Sequence, residues 1–143
     1  MRRTFVSLLV GGLVAACQLS FLAQPVAAQP NCSIKYIYAP FIHWEYTSPP
    51  TKYLATTGKV SCDVVARHLS FTVEIRTSSG TLITGYTDTY EPSILSDTIT
   101  PMRKCLSTSD HYFYARARFQ FPDFNSPWSA WQYSSTVSQS CWF

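Results

Sequence analysis

Two tryptophans, Trp128 and Trp131, stand three residues apart in the polar segment NSPWSAWQYSS (125–135). In the aromatic-rich run before this segment, successive side chains would point to opposite faces of an extended strand, so Arg116 and Arg118 would share one face. A guanidinium stacked on an indole gains about 0.5–1 kcal/mol at an exposed site, and more when it is shielded from water. We therefore expect the four side chains to alternate as a ladder that covers the outer face of the last hairpin. A structural role is the favoured interpretation, and contact with a ligand is the alternative.

The cysteines predict a pair of disulfide bonds. The chain has five, of which Cys17 lies in the N-terminal segment that we interpret below as an export signal. The other four are Cys32, Cys62, Cys105 and Cys141, and an even count in a small exported domain is typical of disulfides. Four cysteines allow three connectivities. We favour Cys32–Cys62 and Cys105–Cys141, because each pair would join segments expected to be neighbours in a sheet. The alternative, a zinc site, lacks any C-x-x-C pair.

A second aromatic cluster lies near the start of the mature chain, in the run YIYAPFIHWEY (36–46). Its candidate ligand-binding residues are Tyr36, Tyr38, Trp44 and Tyr46, since aromatic platforms bind sugars or apolar ligands through stacking and buried area. Packing in the core and at the sheet edge is the favoured interpretation, and a binding face is the alternative.

No pattern in the sequence indicates catalysis. His43 and Glu45 could form half of a metal site, but a third ligand is needed and nothing places His68 or His111 nearby. Glu74 is expected to be a solvated charge on a strand. The sequence has no G-x-S-x-G elbow and no glycine-rich phosphate loop. We therefore predict a protein that is not an enzyme and has no catalytic residues, no metal and no cofactor.

Residues 1–28 are interpreted as a secretion signal peptide. Arg2 and Arg3 precede an apolar run, and the small residues of Val26–Ala28 are typical of a cleavage site. An alternative is lipid anchoring, because Val14-Ala15-Ala16-Cys17 resembles a bacterial lipobox. The leader looks bacterial, and the rest of the chain contains no apolar run long enough for a transmembrane helix. We predict a secreted, extracellular protein.

Cleavage after Ala28 would shorten the 143-residue chain to 115 residues, the size of one domain (29–143). Removing Arg2 and Arg3 leaves nine basic residues against eight acidic ones, so the net charge falls from +3 to +1. A near-neutral domain gives no reason to expect nucleic acid as a partner.

The mature chain reads as a series of short strands. Leu69–Arg76 alternates strictly between apolar and polar residues, the period-two pattern of a half-buried strand. A turn at Ser78–Gly80 and a return strand at Thr81–Thr89 complete a hairpin. Pro40 interrupts the Ser33–Tyr46 segment, which is expected to be an edge strand that can switch sheets there. About seven strands result, and they predict an all-β, antiparallel β-sandwich.

The ladder residues also resemble a known arrangement. Ala115-Arg116-Ala117-Arg118 followed by Trp128-Ser129-Ala130-Trp131 is similar to the WSxWS cassette of class I cytokine receptor modules. Those modules are fibronectin type III domains, so the resemblance implies a fibronectin-III-like or immunoglobulin-like sandwich in which the arginines stack between the tryptophans. It covers roughly the last 30 residues and departs from the cassette at Gln132.

The favoured function is therefore a secreted, disulfide-stabilised module without catalysis, which binds an extracellular protein or is a structural secreted component. One alternative is binding of a carbohydrate or small ligand through the exposed aromatics, with a glycan as partner. Another is inhibition of an extracellular enzyme by the Thr47–Tyr53 loop or the Pro122–Pro127 loop.

Overall fold

The computed structural model describes residues 29–90 and 94–143, so the expected signal peptide and Cys17 lie outside the described residues. This part of the chain is all-β and contains no α-helix. Its strands are β1 (Cys32–Ile37), β2 (Phe41–Glu45), β3 (Thr51–Ala55), β4 (Gly58–Ala66), β5 (Leu69–Thr77), β6 (Leu82–Tyr90), β7 (Ile94–Ile99), β8 (Met102–Lys104), β9 (Ser107–Gln120), β10 (Gln132–Tyr133) and β11 (Val137–Trp142).

The described residues thus form eleven strands, where the sequence predicted about seven. Pro40 divides the first expected strand into β1 and β2, which belong to different sheets. The end of the chain likewise forms two short strands, β10 and β11, which both pair with β9. The strand β8 has only three residues, too few for a period-two pattern to be recognised.

The strands form an antiparallel sandwich of three sheets. The largest has the order β10-β9-β5-β6, with β11 also paired to β9. Two three-stranded sheets, β1-β4-β7 and β2-β3-β8, contribute side chains to two core clusters shared with the large sheet. The fold class predicted from the sequence is therefore confirmed as all-β and antiparallel.

The period-two strand β5 supplies both parts of the core. Leu69, Phe71 and Val73 pack with residues of β1, β4 and β7. Ile75, one step further along the same face, packs instead with Leu54 of β3 and with residues of β6, β9 and β11. One alternating strand thus holds two small sheets against the large one.

Each disulfide bond joins different parts of this arrangement. Cys32–Cys62 links directly opposed residues of β1 and β4 within one sheet. Cys105–Cys141 links the residue after β8 to β11, and so ties the β2-β3-β8 sheet to the large sheet. The structure has the two pairings favoured by the sequence.

Candidate functional site

The Arg/Trp ladder lies on the outer face of the large sheet. The guanidinium carbon of Arg116 is 3.8 Å from the ring centroid of Trp131. Arg118 lies between the two indoles, 4.3 Å from Trp131 and 4.4 Å from Trp128. The order along the ladder is therefore Arg116, Trp131, Arg118, Trp128, and the structure brings together all four predicted side chains.

Glu74 extends the ladder onto β5. Its carboxylate oxygen accepts hydrogen bonds from the Nε atoms of Arg76 and Arg116, both at 2.8 Å. Glu74 lies directly opposite Arg116 in the β5–β9 register, and its side chain is only 15% exposed. The expectation of a solvated charge at Glu74 was therefore wrong: the position is on the outer face as predicted, but the ladder and its arginines cover it.

This environment sets the ionisation of Glu74. Partial burial opposes the charged form, but the hydrogen bonds and positive charges of Arg76 and Arg116 outweigh it and hold the pKa of Glu74 below its ordinary value. The carboxylate is therefore charged at neutral pH and neutralises part of the positive charge of the ladder. The sequence could have suggested that Glu74 pairs with arginines, because Glu74 and Arg76 lie on the outer face of β5 and Arg116 lies on the outer face of β9.

Serines attach the tryptophan segment to β9. Ser129 accepts a hydrogen bond at Oγ from the Phe119 amide, at 3.0 Å, and its own amide donates to the Phe119 carbonyl, at 2.8 Å. Ser134 makes the same pair of bonds with Ala115, both at 2.9 Å. Because a side-chain hydroxyl replaces a carbonyl in these bridges, the segment follows β9 without being a regular strand. The polar residues around the indoles thus hold Trp128 and Trp131 over the arginines.

The four candidate ligand-binding aromatics lie in separate places. Tyr36 and Tyr38 stack on each other, with ring centroids 4.7 Å apart. Trp44 and Tyr46 follow the switch of sheets at Pro40, and Tyr46 is 95% exposed. The structure therefore divides these residues between the β1 region and the β2 region instead of bringing them into one platform.

Trp44 lines a shallow groove of about 240 Å³. The predicted Thr47–Tyr53 loop is shorter than expected, because β3 begins at Thr51. Its prolines, Pro49 and Pro50, form part of the groove wall, together with Lys52 of β3 and Leu106. The ammonium of Lys52 lies 5.9 Å from the ring of Trp44. The groove combines an indole that is 48% exposed with positive charge.

Another groove, of about 360 Å³, lies where edge strands of three sheets meet. It is lined by Thr84, Tyr86 and Asp88 of β6, by the end of β7, and by Pro101 and Met102 at the start of β8. Each of these strands is the last in the order of its sheet. The groove lies beside the edge of β6. The sequence did not predict it because β6, β7 and β8, although consecutive along the chain, each pair into a different sheet.

The residues considered for metal binding have other neighbours. A hydrogen bond from Tyr53 to Glu45 raises the pKa of the phenol, with smaller contributions from desolvation and from the charge of Glu45. His68 contacts Asp123 at the short turn after β9. Over residues 29–90 and 94–143, the structure contains no group of three or more His, Cys, Asp or Glu side chains that could hold a metal ion. Within the same residues, no helix has the length and hydropathy needed to cross a membrane.

Comparisons with known proteins identify no family for this chain. No family model matches the sequence, and no curated protein matches it. Among solved structures, the chain is similar to part of a β-glucuronidase from glycoside hydrolase family 2, with a TM-score of 0.39 and 7% sequence identity over 69% of this chain. The chain spans only 10% of the length of that enzyme. At that TM-score the likeness indicates neither a shared family nor a shared activity.

Proposed function

We propose that this protein is a secreted, non-catalytic β-sandwich module that binds an extended segment of an extracellular protein along the edge of β6. The two disulfide bonds fit an oxidising, extracellular location. A fibronectin-III-like or immunoglobulin-like class is supported by the strand order, since a three-stranded sheet, β1-β4-β7, shares a core with the β10-β9-β5-β6 sheet.

The observation that carries the proposal is the free edge of β6. It is nine residues long, and its sequence LITGYTDTY contains neither the lysine nor the proline that commonly protect exposed edges. The edge strand β1, by contrast, contains Lys35. At the start of β6 the register also shifts at Ile83, whose carbonyl accepts a hydrogen bond from Arg103, so the regular part of the β6 edge runs from Thr84 to Tyr90. An unpaired edge presents main-chain donors and acceptors that match an extended peptide, the mode known as strand addition.

Side chains beside this edge could select the partner. Tyr86 is 55% exposed, and Leu82 and Met102 are also exposed apolar residues. Tyr86 of β6 and Met102 of β8 both line the groove, with Asp88 as its charged group. Main-chain pairing would supply affinity, and the alternate side chains of the added strand would be read by this groove.

The ladder has a structural role in this proposal. Its tryptophans are already occupied by Arg116 and Arg118, and Glu74 is occupied by two arginines. Side chains committed to one another in this way stabilise the large sheet and hold its edge in place.

Site-specific photocrosslinking tests the proposal. A benzophenone amino acid placed at Tyr86 should crosslink one protein from the culture fluid of the native host. The same group at Tyr133 serves as a control, since Tyr133 is 59% exposed on β10 at the other side of the sheet. With that partner in hand, β6 amides should exchange more slowly with deuterium in the complex. A partner captured equally at Tyr133, or unchanged exchange in β6, would contradict strand addition.

The Trp44 groove supports a second candidate function. The prolines of the Thr47–Tyr53 loop and an exposed indole lie together there, so this surface could contact an enzyme or a small ligand. If it does, Trp44→Ala should abolish the effect while Tyr86→Lys leaves it unchanged, because the two residues line different grooves.

A further inference from the structure

A smaller groove, of about 200 Å³, lies where the turn between β5 and β6 meets β9 and the end of β11. Thr77, Ser78 and Ser79 form one side of it, and Asp110 and Tyr112 of β9 form another. It involves neither the ladder nor the free edge of β6.

Trp142 supplies an aromatic surface with a fixed orientation. His111 stacks on its indole, with centroids 4.0 Å apart and an interplanar angle of 26°. Trp142 nevertheless stays 41% exposed, so part of the ring faces the groove and solvent. A ring held in place in the free protein loses little freedom when a ligand stacks on it.

Asp110 places hydrogen-bond acceptors beside this ring. The Ser140 hydroxyl lies within hydrogen-bond distance of Oδ1 of Asp110 and of the Thr108 carbonyl, so its one proton is shared between these two acceptors and holds the carboxylate beside β11. The residue is exposed, so Oδ2 can accept a hydrogen bond from a ligand. Tyr112 and the serine hydroxyls of the turn add groups that can both donate and accept.

The composition of the groove selects the ligand class. Among the described residues that line it, each carries a hydroxyl, a carboxylate, an imidazole or an aromatic ring, and none is Leu, Ile, Val, Met, Lys or Arg. Sites for apolar ligands are lined mainly by hydrophobic side chains, and sites for phosphate or sulfate use Arg or Lys. A pyranose ring fits instead, because its C–H face stacks on an indole while its hydroxyls bond to polar groups.

We propose that this groove binds one neutral pyranose unit of an extracellular glycan. Its volume is below the roughly 300 Å³ at which pockets for drug-sized ligands begin, so it would take one ring at a time. The carboxylate of Asp110 disfavours uronate or sulfated sugars. The site adds a glycan partner to the protein-binding role proposed above, and it uses different residues, so either proposal can fail alone.

Titration by NMR tests the site directly. The probes are the hexasaccharides of cellulose, xylan, starch and chitin, added separately to protein with ¹⁵N-labelled tryptophan. The chain has four tryptophans, so there are four indole N–H signals to follow. At least one probe should bind with a dissociation constant below about 1 mM and shift the signal of Trp142.

Variants then separate the site from general effects. Trp142→Ala should weaken binding by about tenfold or more, and Asp110→Asn by about threefold, since the amide keeps an acceptor but loses the charge. Tyr133→Ala is the matched control, because Tyr133 is an exposed aromatic residue on β10 that lines none of the grooves described above, and it should leave the affinity unchanged. Asp110→Asn also decides the matter if Trp142→Ala fails to fold.

Several results would overturn the proposal. One is the absence of any shift with all four probes at about 10 mM. Others are a shift confined to Trp44, unchanged affinity in Asp110→Asn, or stronger binding of a sulfated oligosaccharide than of a neutral one.

Discussion

Replacing Trp131 by alanine should destabilise the sandwich strongly. The indole contacts two guanidinium groups, at 3.8 Å and 4.3 Å, and Arg116 is itself only 18% exposed. Cation–π contacts are worth about 0.5–1 kcal/mol when exposed and about 2 kcal/mol when desolvated, so two partly shielded contacts contribute about 2 kcal/mol. Loss of the packing of a half-buried ring adds about 1 kcal/mol. We expect the free energy of unfolding to fall by about 3 kcal/mol.

Thermal unfolding followed by circular dichroism, with the disulfides intact, measures this change. A domain of this size loses roughly 4 °C per kcal/mol, so the Tm should fall by about 12 °C. Trp44→Ala is the control, because Trp44 is about half exposed and its single cation, Lys52, is 5.9 Å away. That variant should lose about 1 kcal/mol or less.

A double-mutant cycle with Arg118→Ala isolates the contact itself. The two substitutions should couple by about 1 kcal/mol, because Arg118 lies between Trp131 and Trp128. The reasoning is refuted if Trp131→Ala and Trp44→Ala cost the same, or if Trp131→Ala reduces partner binding at unchanged Tm.

Three further changes probe the same network. Glu74→Gln should cost about 2 kcal/mol at pH 7. Because the folded-state pKa of Glu74 lies below its ordinary 4.5, this contribution is present above pH 4.5 and is lost as the pH falls through the folded pKa. Urea unfolding should therefore show a smaller difference in unfolding free energy between wild type and variant at pH 3 than at pH 7. An equal difference at both pH values would contradict the prediction. Ser129→Ala removes the acceptor for the Phe119 amide and should cost about 1 kcal/mol by thermal unfolding, whereas the exposed Ser135→Ala should cost almost nothing. Peptide mapping without reductant should yield the Cys105–Cys141 bridge, and a peptide joining Cys32 to Cys141 would refute the pairing.

Local patterns in the sequence were sufficient for the elements that depend on neighbouring residues. The alternation in β5 and the turn at Gly80, where φ is +91°, specify a hairpin almost without reference to the rest of the chain. The Arg/Trp ladder could be foreseen for a similar reason, since a short loop after β9 turns the chain back and brings Trp131 beside Arg116.

Features that depend on distant pairing could not be foreseen. Ser70 and Thr72 alternate with the core residues of β5, yet both are buried, because their hydroxyls bond to Thr89 and Thr87 of β6. Nothing in a period-two pattern shows which strand will lie alongside. The groove beside Tyr86 is missed because the consecutive strands β6, β7 and β8 pair into three different sheets. The groove beside Trp142 is missed because its segments lie far apart in sequence.

The ladder, which stabilises the sandwich, lies apart from the β6 edge that is proposed to bind the partner. It covers the outer face of β5 and β9, while the inner face of the large sheet is buried against the two smaller sheets. Strand addition would therefore use the β6 edge, away from the ladder. Tyr86→Lys should then abolish capture of the partner at an unchanged Tm, whereas Trp131→Ala should lower the Tm while the folded protein keeps its affinity. Loss of affinity in folded Trp131→Ala protein would show instead that the ladder itself contacts the partner.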